Sequence, residues 1–365
     1  MPYRVGWGVR NPAVTRLPSN SGVNRELPGE SNHVKSERTQ GSKGAQPPWY
    51  KPRAMRLSVV IVNWNSREDL RACLASLREQ THRDLEVIVV DNGSADGSAD
   101  MVRESFPEVV LLAEGENLGF AEGCNRGIAK STGAWVAMLN NDTVADPEWA
   151  RALVEAAEKA PPRCGMLQSL LLYRDRPDTV NSTGIELTRT GGGRDRDEGA
   201  TWRAQDGLAE IFCPTAGAAA YKREMLEEIR LPSGYFDRDH FMYFEDMDLG
   251  WRARLAGWSA YFVPGSKVLH TWHGSSKRHG RSWLVVVSRT NRIRTLLKNA
   301  SLPFLLRTSP KTAYEVAELL WHGRAKAGVK LLEALKDSVL VRREIDRLAR
   351  EDRQEIEARW VVRAS

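Results

Sequence analysis

Residues 134–142 read Ala134-Trp135-Val136-Ala137-Met138-Leu139-Asn140-Asn141-Asp142. A short apolar run of this kind fits a buried strand, and it stops at two amides and a carboxylate. In an α/β sheet the ligand crevice opens beyond the carboxyl ends of the strands. A hard oxygen donor there, Asp142, suits Mg²⁺ or Mn²⁺ carried on a diphosphate. Further along come Phe244-Glu245-Asp246-Met247-Asp248-Leu249 and then His270. Together they point to an enzyme that handles a nucleotide-diphosphate substrate through a divalent metal.

Upstream of this stretch, strand-like and helix-like patterns alternate. Residues 59–62 are an apolar strand ending at Asn63-Trp64-Asn65-Ser66, and Leu70, Cys73, Leu74 and Leu77 carry helical spacing. Residues 85–90 are a second strand, ending in Asp91-Asn92-Gly93-Ser94. A helix around Met101-Val102, a strand at 109–112, a helix at 121–130 and the strand at 135–139 follow. Such alternation predicts a Rossmann-like, mostly parallel, doubly wound sheet.

Downstream the pattern loosens. Residues 189–200, rich in Gly, Arg and Asp, read as a mobile loop. Residues 216–220 are small and apolar, 221–229 are helical, and 258–263 form a strand that turns at Pro264-Gly265. Beyond residue 283 basic amphipathic helices are expected. Leu302-Pro303-Phe304-Leu305-Leu306 and Leu319-Leu320-Trp321 give them a fatty side, to lie in a membrane interface or to pack on the protein.

The composition, 41% hydrophobic and 27% charged, is that of a soluble globular protein. The apolar runs are far shorter than the roughly 18 residues of a membrane span, and the first residues hold no apolar stretch that resembles a signal peptide. Cys73, Cys124, Cys164 and Cys213 lie far apart, which disfavours a disulfide framework or structural zinc and suits a reducing cytoplasm. The net charge of +6 conceals an asymmetry. Residues 1–54 carry nine Lys/Arg against three Asp/Glu and residues 271–365 twenty against ten, so the segment between is left at −10. Nucleic-acid binding is not expected of an acidic body with a basic tail. The profile fits a catalytic domain tethered to an anionic membrane surface by its C-terminus, or a tail of merely solvated charge. Residues 1–54 lack periodicity and read as a disordered extension, with Met55 the expected natural start.

Asp91 could accept hydrogen bonds from a base or ribose, although Asp-Asn-Gly-Ser is also ordinary turn chemistry. The stretch Glu116-Asn117-Leu118-Gly119-Phe120-Ala121-Glu122-Gly123-Cys124-Asn125-Arg126-Gly127 places small residues at a helix start. Close approach of a ligand phosphate to free backbone N–H groups is the expected use, with Asn117 and Asn125 as neutral donors.

These motifs, in this order, resemble an inverting glycosyltransferase of family 2 with the GT-A fold. The similarity is greatest to the bacterial rhamnosyltransferase-like branch that builds cell-wall and O-antigen polysaccharides. It covers about residues 57–295. The resemblance implies a GT-A domain at 55–275 and a helical, basic, amphipathic region at 276–365. It implies that Asp91 and Asn63 hold the nucleotide, that Asn117, Gly217 and Glu245 line substrate, and that Asp142 and His270 bind the metal, with His273 as a nearby competitor. Asn140 occupies the first position of the family's Asp-x-Asp motif, where an amide brings no charge. Asp246 is the implied general base, inverting the anomeric carbon as the acceptor hydroxyl attacks. The implied partners are a dTDP- or UDP-sugar donor and a saccharide or polyprenyl-linked saccharide acceptor at the inner face of the cell membrane. Thr215-Ala216-Gly217-Ala218 is the expected acceptor side. Asn291-Arg292 could meet a lipid-linked phosphate, and Trp251 and Arg252 either pack or touch substrate.

A nucleotidyltransferase needs a Gly-rich basic loop where this chain has Asn63-Trp64-Asn65-Ser66. A dinucleotide oxidoreductase needs Gly-x-Gly-x-x-Gly there. The remaining alternative is a catalytically idle protein that grips a sugar nucleotide on the same fold, with Asn140 the feature in its favour.

Overall fold

The first strand decides the layering. In the computed structural model, which describes residues 55–271, 280–321 and 325–362, β1 (Leu57–Asn63) sends Val59 and Ile61 to one core and Val60 to another. A strand apolar on both faces must be covered on both. On one face lie α1 (Arg67–Arg78), α2 (Ser98–Ser105) and α4 (Trp149–Lys159). On the other lie α3 (Phe120–Lys130), α5 (Arg223–Glu228) and α6 (Glu245–Leu255). The expected extension at 1–54 and His273 lie outside the described residues.

The other strands are β2 (Leu85–Asp91), β3 (Val110–Ala113), β4 (Trp135–Leu139), β5 (Thr143–Ala145), β6 (Cys164–Tyr173), β7 (Arg176–Ser182), β8 (Ile185–Leu187), β9 (Gly193–Asp195), β10 (Ala209–Ile211), β11 (Ala218–Lys222) and β12 (Ser259–His270). The main sheet runs β10-β12-β6-β11-β4-β1-β2-β3, with β5 added on β12 and β7 on β6. The β1, β2, β3 and β4 ladders are parallel, as is β6 with β12, while β11 is antiparallel to both β4 and β6. Six of the eight strands on that path therefore run the same way, giving the mostly parallel α/β sheet expected.

Two local expectations change. The strand from residue 259 does not turn at Pro264-Gly265. It continues to His270, and its register against β6 shifts between Val263 and Lys267. Proline cannot donate to a ladder, so an irregularity absorbs it. Residues 189–200 are not simply a loop. Gly193–Asp195 pair antiparallel with β8 after a turn in which Gly191 takes φ +73°. A three-residue strand is too short to show a period.

After β12 come α7 (Arg281–Asn299), α8 (Leu302–Trp321), α9 (Ala325–Leu348) and α10 (Arg353–Trp360). These helices share a third apolar core with α6. Met247, Trp251 and Leu255 meet Leu296, Phe304, Ile345 and Ile356.

Candidate active site

The carboxyl ends of β1, β2 and β4 converge as their parallel register dictates. Asn63 pairs with Asp91 across the ladder, and Asn63 Nδ2 donates to Asp91 Oδ2 at 3.0 Å. Asp91 Oδ1 accepts from Ser94 N at 2.9 Å. Asn141 Nδ2 reaches Asn63 Oδ1 at 2.8 Å, linking this polar patch to β4. Asn141, passed over in assigning roles from sequence, joins the Asn63–Asp91 patch to a cavity of about 390 Å³ whose wall it shares with Asn140 and Asp142.

Asp142 meets His270 on that wall. Because β12 runs on past its irregularity, it pairs with β5 and sets His270 opposite Thr143. His270 Nε2 then lies 3.2 Å from Asp142 Oδ1 and 3.4 Å from Asn140 Nδ2. The other ring nitrogen, Nδ1, is 2.7 Å from Asn181 Oδ1. In the tautomer that donates from Nδ1 to Asn181 Oδ1, Nε2 turns a lone pair toward the carboxylate. Two acceptors held this close call for a cation or proton between them, and a metal-binding histidine is usually oriented by such a second hydrogen bond. Asp142 and His270 thus fit a divalent metal. Asn181 was not foreseen from the sequence.

Across the cavity, α6 presents the acids. Asp246 is half-buried, accepting from Ala216 N at 3.2 Å through Oδ2 and from Met247 N at 2.7 Å through Oδ1. Burial raises its carboxyl above the ordinary value even against these donors. Glu245 is buried, and burial followed by repulsion from Asp246 pushes it well above the usual carboxylate range. Its Oε2 has no hydrogen-bond partner among the described residues. Gly217 lines the cavity and accepts from Asn140 N at 2.9 Å.

The turn leading into α6 is strained. Phe241, Tyr243 and Phe244 have φ of 60°, 68° and 69°, rare for bulky side chains and a recurrent mark of functional sites. Asn291, expected near a lipid phosphate, instead clamps this turn. Its Nδ2 reaches the carbonyl oxygens of His240, Met242 and Tyr243 at 2.7, 2.9 and 2.9 Å. Arg292 is likewise committed inward, to Glu315 at 2.7 Å and to the Thr190 carbonyl. Trp251 is buried between Phe212 and Phe304, and Arg252 donates to the Ile229 and Tyr235 carbonyls, so both pack.

The stretch at 116–127 also differs from its reading. A Cβ at Gly123 would meet the Val62 side chain at 2.7 Å, and one at Gly127 the Val60 side chain at 2.2 Å. Gly123 and Gly127 thus serve the close approach of α3 to β1. Ala121 N donates to the Phe241 carbonyl at 3.1 Å, and Asn125 holds Phe236. Asn117 Oδ1 caps Gly119 N at 2.9 Å, and Asn117 is not among the cavity residues.

Asp195 and Ser288 line the same cavity. Burial raises the Asp195 carboxyl to about 6, helped by the charge of Asp246. Its place in a stretch read as a loop hid it from sequence reasoning.

A second group, Asp237, His240 and Asp248, is close enough to hold an ion. The Lys298 ammonium already sits there, 2.7 Å from both Asp237 Oδ2 and Asp248 Oδ1. Burial pushes the Asp237 carboxyl up, but Lys298 outweighs it and holds it well below the usual range. Burial and the same ammonium lower His240 to about 4. This is an internal ion network that fastens α7 to α6.

Residues 58–230 match the profile of Glycosyl transferase family 2. Over 258 residues the chain is 31% identical to the N-acetylglucosaminyl-diphospho-decaprenol L-rhamnosyltransferase of Mycobacterium tuberculosis, covering 62% of this chain and 80% of that protein. The chain belongs to glycosyltransferase family 2. This glycosyltransferase is also 27% identical over 211 residues to an uncharacterized glycosyltransferase of Escherichia coli K12, spanning 56% and 60% of the two chains. Its fold is GT-A. The crystal structure of GalNAc-T7 with UDP, GalNAc and Mn²⁺ superposes with a TM-score of 0.54 at 17% identity, over 68% of this chain and 49% of that one. The glycosyltransferase accordingly transfers a sugar from a nucleotide-sugar donor and belongs to an inverting family. Among the described residues no helix is long and apolar enough to cross a membrane.

Proposed function

We propose that this glycosyltransferase moves rhamnose or another hexose from a dTDP- or UDP-sugar to a hydroxyl of a saccharide or lipid-linked saccharide. One observation carries the reading: the Asp142–His270 pair and the Asp246 carboxylate face one cavity of about 390 Å³. That arrangement puts a diphosphate-binding wall opposite a base. The mycobacterial relative, which acts on a diphospho-decaprenol acceptor, supports the lipid-linked class.

In this reading Asn63, Asp91 and Asn141 receive the nucleoside, with Asn140 and Gly217 beside the sugar. Asp142 and His270 would hold Mg²⁺ or Mn²⁺, which would supply charge to offset the negative charge on the departing diphosphate. Asp246 accepts the acceptor hydroxyl's proton as that oxygen bonds to the anomeric carbon. The bond from that carbon to the diphosphate oxygen breaks, the nucleoside diphosphate leaves with its electron pair, and configuration inverts. The Ala216 and Met247 amides fix the carboxylate's direction, while burial strengthens it as a base. Residues 55–275 carry the chemistry, and the helices after residue 276 add Ser288 to the wall. The charge asymmetry supports work at the anionic inner face of the membrane.

Incubating the protein and Mn²⁺ with dTDP-rhamnose, UDP-glucose or UDP-galactofuranose and a polyprenyl-diphospho-N-acetylglucosamine acceptor tests this. Transfer from one donor, with inverted anomeric configuration by NMR, is the expected result. Binding of a sugar nucleotide without transfer to any acceptor would favour an idle scaffold.

A further inference from the structure

Among the described residues eight large apolar side chains stand exposed, and five of them lie on α8: Leu302, Leu306, Tyr314, Leu320 and Trp321. At helical spacing these five, with Ala317, fall within an arc of roughly 120°. Phe304, Thr308, Glu315 and Leu319 form the opposite, buried side. Trp321, at the helix end, is 88% exposed. Isolated exposed leucines need no explanation, but a continuous apolar stripe marks an interaction surface.

Charge is sorted around this stripe. The acids of α8 are paired, Glu315 with Arg292 and Glu318 with Arg289, each at 2.7 Å. Exposed Arg307 stacks over the Phe304 ring at 4.4 Å and borders the stripe, with Lys311, 3.9 Å from Glu315, one turn on. No charged residue falls inside the arc. An apolar face bordered by cations, with its acids neutralised by arginines, suits an anionic lipid surface, where an amphipathic helix lies in the interface plane. A terminal tryptophan suits the headgroup level.

We propose that the exposed face of α8 docks the enzyme on anionic phospholipid. The position is apt for the cavity. Lys311 Nζ is 3.3 Å from Thr190 Oγ1, and Arg292 bonds the Thr190 carbonyl. Thr190 lies in the turn between β8 and β9, and β9 supplies Gly193 and Asp195 to the cavity wall. Docking through α8 therefore seats on the lipid a helix that touches the turn feeding that wall. Its purpose rests on the lipid-linked acceptor proposed above, but the docking is measured without any sugar.

The full chain is sedimented with phosphatidylcholine vesicles, with or without phosphatidylglycerol. The wild type should sediment with the anionic vesicles and release on added salt. Leu306→Glu with Trp321→Glu should weaken that partition about tenfold or more while transfer to a water-soluble acceptor is kept. Should that variant fail to fold, a fluorophore on Ser309→Cys serves instead. Its emission should shift to the blue with anionic vesicles and not with neutral ones. A wild type that stays in the supernatant, an unaltered partition in the folded variant, or an unshifted fluorophore overturns the proposal. So does a wild-type dimer that these substitutions split, which would assign the stripe to a second copy of the chain.

Discussion

His270 Nε2 stands 3.2 Å from Asp142 Oδ1, brought there by the pairing of β12 with β5. Asn181 fixes the ring from behind. The pair is thereby set before any ligand arrives, which reduces what metal binding must organise. Asp142→Ala should abolish Mn²⁺ binding. Asn181→Ala, which frees the ring without removing a ligand, should weaken it by about 10–100-fold. Titration calorimetry with Mn²⁺ reads both, and unchanged affinity in Asp142→Ala would remove this metal site from the account.

Asp246→Asn separates chemistry from binding. Loss of a general base should lower kcat by roughly 10²–10⁴-fold, with nucleotide affinity unchanged. Stability moves the other way. Because the folded carboxyl is raised by burial, the native state holds its proton longer than the unfolded chain. Stability from this group is therefore lost as pH climbs from the ordinary carboxylate value through the raised one. The neutral amide escapes that loss but can accept from only one of the Ala216 and Met247 amides, so the direction is read from the pH slope: wild type should lose stability relative to Asp246→Asn as pH rises from the ordinary carboxylate value. A difference that stays flat with pH would contradict the assigned direction.

Asp195 predicts a pH effect on acceptor binding. Its carboxyl, raised to about 6, gains a proton as pH falls through that value and ceases to act as a full acceptor for sugar hydroxyls. Acceptor KM should rise below pH 6 in the wild type and stay flat in Asp195→Asn. Parallel pH profiles for the two proteins would show that Asp195 does not contact the acceptor.

How much of this was legible in the sequence follows from where each residue draws its meaning. β1, β2 and β4 could be read because each is a local apolar run ended by a polar turn. Asp142 and Asp246 stood out because their neighbours in the chain carry the pattern. Asp195 did not, because β9 has three residues and takes its place only from pairing with β8. Gly123 and Gly127 were read toward a phosphate when the strand beneath α3 needed them. A glycine shows that something comes close, and only the fold says what. The role of Asn291 is not legible, because its partners, three backbone carbonyls of a distant turn, leave no mark in sequence.

That turn yields a positioning test. Asn291→Ala releases the carbonyls of His240, Met242 and Tyr243 and lets the strained φ angles before Glu245 relax. kcat should fall while donor KM holds, because the Asn63–Asp91 patch is untouched. Asn291→Gln should not restore the rate, since the longer amide cannot meet the same carbonyls. An unaltered kcat in Asn291→Ala would show that the turn holds itself.

Lys298 tests the ion network. Lys298→Met leaves Asp237 buried without its ammonium and Asp248 with Arg252 alone, 3.8 Å away, a loss of about 3–5 kcal/mol by denaturant unfolding. A cost below 1 kcal/mol in the same assay would show that the carboxylates rearrange or take up protons cheaply.

The most direct test is the melting temperature of wild type and Asp142→Ala with dTDP, UDP or GDP, each with and without Mn²⁺. A ligand that binds the native state stabilises it with the logarithm of its excess over Kd. A rise for dTDP or UDP that needs Mn²⁺ in the wild type and is lost in Asp142→Ala is expected. An equal rise in both proteins, or none in a folded wild type, would contradict it.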